Sequence, residues 1–179
     1  MRYLLLAVFP ALAIYLQSTL FHHIPAVHVI PDLVLVCTVF CALLNGGIRG
    51  GIYGICCGIL EDLYLGRGIG INILCKGIIG YLLGRTYKQI NPESPWAGAL
   101  GVLAGGILNA VLFSFFVAVL DLYTMEIEFI LKTFFIQILY QTILSIPLYI
   151  GYYHSHTQGW LKPAEEEDRL WNKMNRLVK

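Results

Sequence analysis

The chain alternates between long runs of apolar residues and short polar connections. Six apolar segments emerge, at about 3–21, 32–46, 48–64, 69–84, 96–120 and 129–151. A helix needs about 20 residues to cross a hydrocarbon core about 30 Å thick, so the second, third and fourth segments are short. The pattern predicts an all-α, polytopic membrane protein with six transmembrane helices, some of which are short and tilt little or cross only in part.

The composition supports a membrane protein and excludes a separate soluble domain. Hydrophobic residues make up 58% of the chain and charged residues 13%, with a mean hydropathy of +0.71, whereas soluble domains carry about 25% charged residues. We expect a six-span membrane domain at 1–153 and a cytoplasmic tail at 154–179. From Pro163 onward the tail has the pattern of a short amphipathic helix, which would lie on the inner membrane surface or dock a cytoplasmic partner.

The distribution of lysine and arginine predicts the orientation. If the N-terminus is cytoplasmic, nine basic residues fall on the inner side and only Arg67 on the outer side, while Lys76 and Lys132 lie within or at the edge of segments and favour neither side. The nine are Arg2, Arg49, Arg85, Lys88, Lys162, Arg169, Lys173, Arg176 and Lys179. We therefore expect a multi-pass protein of the bacterial cytoplasmic membrane with both termini in the cytoplasm.

Glycine is concentrated in one part of the chain: 12 of the 18 glycines lie between Asn45 and Arg85. Small residues let membrane helices approach closely. Segments three, four and five each carry glycines on one face, which are Gly47, Gly51, Gly54 and Gly58, then Gly70, Gly77, Gly80 and Gly84, then Gly98, Gly101 and Gly105. We expect these three helices to pack backbone to backbone. The alternative is that a glycine face docks the transmembrane helix of a partner.

Lys76 lies midway along the fourth segment, one turn beyond Asn72. An unpaired lysine at the bilayer centre costs about 2.5–3.5 kcal/mol. Its candidate partners are the carboxylates of Glu61, Asp62 and Asp32. Two interpretations stay open, a structural ion pair or a site for a ligand or partner.

The Glu61-Asp62 pair ends the third segment, and Asp62 continues its glycine face. A turn that contains Arg67 follows. Because no nucleophile, metal shell or oxyanion-donor pattern lies nearby, we expect a structural or recognition turn rather than a catalytic site. We likewise expect no metal site and no cofactor.

A polar ladder runs down the sixth segment at four-residue spacing: Thr133, Gln137, Gln141 and Ser145. Such a stripe ordinarily forms hydrogen bonds with neighbouring helices. Gln17, Ser18 and Thr19, near the end of the first segment, are its expected counterparts. The alternative is that the ladder lines a small polar cavity.

Several short motifs follow one another in a recognisable order. Pro31-Asp32-Leu33-Val34 opens a short apolar segment, and Gly58-Ile59-Leu60-Glu61-Asp62 closes the next one. A Leu65-Gly66 turn, Gly70 and Ile79-Gly80-Tyr81-Leu82 come after them. This order resembles the MreD family, the small multispanning rod shape-determining membrane proteins of bacteria, most specifically over residues 31–85.

The resemblance implies a non-enzymatic role in the cell-elongation machinery, with control of rod shape and lateral peptidoglycan synthesis. It implies binding to MreC, a single-span membrane protein, and links to RodA, to the transpeptidase partner of RodA and to MreB. The protein would act in the lipid bilayer, and nucleic acid is not expected as a partner. The family is also similar in architecture to the substrate-binding subunits of ECF transporters. The alternative function is therefore a small-solute-binding subunit of such a transporter, supported by Lys76, Asn72, Asn109, Gln137 and Gln141.

The residues expected to contact a partner or to pack the helices come from the glycine faces and the polar positions. They are Gly51, Gly54, Gly58, Asp62, Arg67, Lys76, Gly77, Gly84, Gln137 and Gln141.

Overall fold

The computed structural model describes residues 2–19, 29–66, 70–86, 94–119, 127–157 and Met174. These residues form no strand and contain six α-helices, which are α1 (Arg2–Thr19), α2 (Leu33–Asn45), α3 (Gly47–Leu65), α4 (Ile71–Gly84), α5 (Pro95–Val119) and α6 (Ile127–Thr157). The predicted six helices are confirmed, although α6 continues past the predicted end at residue 151. The predicted amphipathic helix of the tail lies outside the described residues.

The shortest helix, α2, lies at the centre of the bundle. It contacts all five other helices, and Val34, Leu35, Val39 and Ala42 are fully buried. A helix that is apolar on all sides is buried on all sides, and α2 has this composition. Its 13 residues correspond to about 20 Å of helix, less than a hydrocarbon core. The longer helices around it therefore determine the height of the bundle.

Single residues set the ends of the short helices. The Asp32 carboxylate accepts a hydrogen bond from the Leu35 amide at 2.7 Å and caps α2. Gly46 alone connects α2 to α3, with φ 90°, a conformation that favours glycine. Gly66, with φ 62°, ends α3 and donates its amide to the Asp62 carbonyl at 3.0 Å. A single residue therefore forms the turn between α2 and α3.

The glycine faces of α3 and α4 pack directly against each other. A Cβ atom added at Gly54 would overlap the carbonyl group of Lys76, and one at Gly58 would lie 2.6 Å from the Asn72 carbonyl oxygen. Similarly, a Cβ at Gly84 would lie 2.5 Å from the Cα atom of Gly47. The backbones of these antiparallel helices therefore touch, as predicted for this pair. Gly70 is an exception, since it precedes α4 and has nothing within 4 Å of an added Cβ.

The glycines of α5 behave differently, and the prediction of backbone contact is wrong for this helix. Gly98 receives the ring of Tyr149 from α6, while Gly101 receives the side chain of Leu43 from α2. Gly105 receives Val39 in the same way, 2.9 Å from an added Cβ. These glycines leave room for large side chains of the neighbouring helices. The prediction failed because the spacing of glycines along one helix does not determine which groups of a neighbouring helix pack against them.

The outer surface of the bundle is strongly apolar. Leu63, Trp96 and Ile143 are each about two-thirds exposed. Among the described residues, two helical segments are long and apolar enough to cross a membrane by themselves, Trp96–Val119 and Lys132–His154. Apolar side chains outside and charged side chains inside are the arrangement expected of a protein whose solvent is lipid.

Candidate functional site

The centre of the site is an ion-pair cluster around Lys76, which is fully buried. Its Nζ atom lies 3.0 Å from Oδ2 of Asp32 and also contacts Oε2 of Glu61. Of the three predicted partners, Asp32 and Glu61 are confirmed and Asp62 is wrong. The cluster joins α4 to the start of α2 and to the end of α3, so that one cation holds three helices together.

Asp62 instead caps α4. One of its oxygens accepts the Asn72 side-chain amide at 2.8 Å, and the other accepts the Gly70 backbone amide at 2.8 Å and that of Ile73 at 3.4 Å. The first amides of a helix lack partners within the helix, and their positive end attracts an anion. With both oxygens engaged here, this buried carboxylate does not pair with Lys76.

Two glutamines hold the segment that leads into α2. The Gln17 side chain, from α1, donates to the Pro31 carbonyl at 2.8 Å. From α6, the Gln137 side chain donates to the Ile30 carbonyl at 3.0 Å. From the sequence, Gln17 was expected to face the polar ladder of α6. In the structure, Gln17 and Gln137 of that ladder instead both donate to the loop before α2. The shared polarity of Gln17 and Gln137 was visible in the sequence, whereas their common target was not.

A cavity of about 340 Å³ opens beside this cluster, and we call it the Asp32-end cavity. Helices α1, α3 and α6 and the loop before α2 provide its walls. The lining residues are Ile14, Gln17, Ser18, Ile30, Asp32, Glu61, Tyr64, Leu65 and Gln137. Both carboxylates that pair with Lys76 therefore also face an open space.

A second cavity of about 360 Å³ lies between α1 and α6, with α2 as its floor. We call it the α1–α6 groove. It is lined by Phe9, Leu12, Ala13, Leu16, Leu33, Val36, Cys37, Phe40, Pro147, Leu148, Gly151 and Tyr152. The lining is almost entirely apolar, in contrast to that of the Asp32-end cavity.

The structure distributes the predicted site residues over three places. Gly51, Gly54, Gly58, Gly77 and Gly84 lie in the contact between α3 and α4, so these glycine faces are used within the chain. Asp62, Lys76 and Gln137 belong to the polar region at the Asp32 end. Gln141 is buried against Gly106 of α5, and Arg67 lies outside the described residues.

The polar residues that favoured solute binding do not share one cavity. Lys76 and Asn72 are engaged by carboxylates, while Asn109 and Gln141 belong to α5 and α6. Of this set, only Gln137 lines either of the two cavities. In the described part of the chain, no group of three or more His, Cys, Asp or Glu side chains is placed to hold a metal ion.

The fold and the site together define a small, all-helical membrane protein held together by a buried ion-pair cluster and a glycine-packed hairpin. Residues 1–154 match the family model described as rod shape-determining protein MreD. The chain therefore belongs to the MreD family, and membership implies a role in rod shape determination. Neither a curated protein nor a solved structure gives a match to this chain.

Proposed function

We propose that the chain is a non-enzymatic component of the bacterial cell-elongation machinery that binds MreC and helps direct lateral peptidoglycan synthesis. The family match over residues 1–154 carries this proposal. RodA, its transpeptidase partner and MreB are the further members of the assembly in which it would act. The strongly apolar surface supports a role in helix contacts within the bilayer, because such surfaces mark membrane or protein interaction sites.

The partner surface must lie outside the contact between α3 and α4, because their glycine faces are occupied within the chain. Three exposed side chains of α5, Leu100, Val111 and Phe115, are each at least 60% exposed. They represent the kind of apolar helix face that a single-span partner could cover without disturbing the core.

Depletion of the protein in its host tests this function. We expect rod-shaped cells to become round, because lateral wall synthesis loses a component, and we expect MreC to co-purify with the tagged chain before depletion. Cell shape is measured by microscopy and MreC by immunoblot. Rods of normal shape after full depletion would refute the proposal.

We also propose that both termini are cytoplasmic, which places the Asp32-end cavity at the outer side of the membrane. The support is the excess of nine basic residues to one. Leu65 is half-exposed beside the turn after α3, and a Leu65→Cys variant in a cysteine-free background would report its side. We expect a membrane-impermeant maleimide to label it in intact spheroplasts. Labelling only after lysis would show that Leu65 lies on the cytoplasmic side, so the orientation would be the opposite of the one proposed.

Binding of a small solute, as in an ECF-type transporter subunit, is the second candidate. The volume of the Asp32-end cavity, about 340 Å³, favours it, since ligand pockets span roughly 300–1,000 Å³. The depletion experiment separates the two functions. Normal rods that fail to take up one vitamin would favour the transporter subunit.

A further inference from the structure

The polar walls of the Asp32-end cavity offer several hydrogen-bond acceptors. Gln17 and Gln137 each use a side-chain N–H on a carbonyl of the 30–31 segment, at 2.8 and 3.0 Å. Each of these amides keeps its carbonyl oxygen as an acceptor and its second N–H as a donor. The Ser18 hydroxyl donates to the Tyr15 carbonyl at 2.9 Å, so its oxygen is also left as an acceptor. A ligand that donates hydrogen bonds complements these walls.

The charges in the same cavity also favour a cationic ligand. Asp32 and Glu61 both line it, and among the described residues Lys76 is the one cation that contacts them, one formal positive charge for two carboxylates. Tyr64, which also lines the Asp32-end cavity, is exposed at the rim of this cavity. A primary ammonium group brings both the positive charge and three N–H donors.

The Asp32-end cavity and the α1–α6 groove are neighbours. Gln17 lines the first and Leu16 the second, and the adjacent residues Asp32 and Leu33 are divided in the same way. A polar chamber that contains two carboxylates therefore adjoins an apolar one along α1 and the start of α2. Together they match an amphiphile with a cationic head and an apolar chain.

A transmembrane helix does not fit between α1 and α6 at the Phe9 end of the groove. There the rings of Phe9 and Tyr152 pack edge to face with centroids 5.5 Å apart, so α1 and α6 touch and leave no gap for a helix, which is about 10–12 Å wide with its side chains. Gly151, which also lines the groove, has nothing within 4 Å of an added Cβ. The open space in the groove is therefore suited to an acyl chain.

We propose that the two cavities together bind one aminophospholipid, with its ammonium group at Asp32 and Glu61 and an acyl chain in the α1–α6 groove. This site goes beyond the proposed function and does not depend on it, because lipid binding is a property of the isolated protein. The lipid would belong to the leaflet at the Asp32 end.

Native mass spectrometry of the purified full chain tests the head group. The probes are dioleoyl phosphatidylethanolamine and the matched phosphatidylcholine and phosphatidylglycerol, which differ only in the head. We expect about tenfold preferential retention of phosphatidylethanolamine, since hydrogen bonds to charged groups are worth about this factor or more. In Glu61→Gln the preference should fall to about twofold or less, while Lys76 keeps its partner Asp32.

Gly151→Phe tests the groove, because Gly151 lines it and nothing lies within 4 Å of a Cβ added there. We expect it to reduce retained phosphatidylethanolamine about tenfold. Ile150→Phe is the matched control, since Ile150 is exposed and lies outside the groove lining, and it should retain lipid as the wild type does.

Two results would overturn the proposal. One is equal retention of the three lipids by the folded wild-type chain. The other is unchanged lipid retention in Gly151→Phe, and loss of MreC co-purification in the same variant would then assign the groove to a protein partner. Rounding of depleted cells, or its absence, has no bearing on either result.

Discussion

The α3–α4 hairpin and the α5–α6 hairpin are both antiparallel helix pairs, but they are held together in different ways. In the first, glycines bring the two backbones into contact and the charges of Lys76, Glu61 and Asp62 lie at one end. The second is built from longer helices whose large side chains fill the interface, as in the edge-to-face contact of Phe113 with Phe134 at 5.8 Å.

The difference shows what a short membrane helix requires. Helix α4 has only 14 residues, so it can bury little surface. Close backbone contact and charge pairing hold it in the bundle. Dispersion grows with close approach, and an ion pair in a low-dielectric interior is hardly screened. The 25-residue α5 packs through large side chains of its neighbours, and its exposed side chains are apolar.

The largest expected effect comes from removing the buried cation. Lys76→Met leaves Asp32 and Glu61 without their shared partner, and we expect a loss of about 3–5 kcal/mol in the free energy of unfolding. The matched variant is Gln141→Met in α6, which is equally buried. The Gln141 carbonyl oxygen has no donor among the described residues, so its replacement should cost less than about 1 kcal/mol.

Unfolding of the two purified variants in detergent, followed by circular dichroism against temperature, makes this comparison. Equal melting temperatures for Lys76→Met and Gln141→Met would show that the charge cluster does not fasten α4. An equal but large loss in both would instead show that any buried polar position is critical in this bundle.

Much of the helical framework could be predicted from the sequence, because hydrophobic runs and glycine spacing are local signals. The contact between α3 and α4 followed from Gly54 and Gly58 facing one way, with a tight turn to bring α4 alongside. The same spacing misled for Gly98 and Gly101, since the residues that fill their space, Tyr149 and Leu43, belong to distant parts of the chain.

The polar site was predictable in its members but not in its pairing. Asp32 and Lys76 are 44 residues apart, and only the position of α2 between the other helices brings them together. Asp62 was a reasonable partner for Lys76 by sequence proximity. Asp62 instead binds the nearer amides at the start of α4, because three hydrogen-bond donors converge on its two oxygens.

The prediction with the smaller expected effect compares a glycine substitution in α3 with one in α5. This comparison tests backbone contact separately from the other differences between the hairpins. Gly54→Ala places a methyl group against the Lys76 backbone, which cannot rotate away, so we expect a loss of up to about 3 kcal/mol. In Gly101→Ala the methyl meets the end of the Leu43 side chain, which can move, and the loss should stay below about 1 kcal/mol.

Both substitutions gain the same helix propensity, about 0.5–1 kcal/mol, so the difference between them measures the clash alone. The readout is the midpoint of unfolding in mixed detergent micelles for the two variants and the wild type. If Gly54→Ala were as stable as Gly101→Ala, the helices α3 and α4 would have room to separate. Their glycines would then matter for a partner's approach rather than for their own contact.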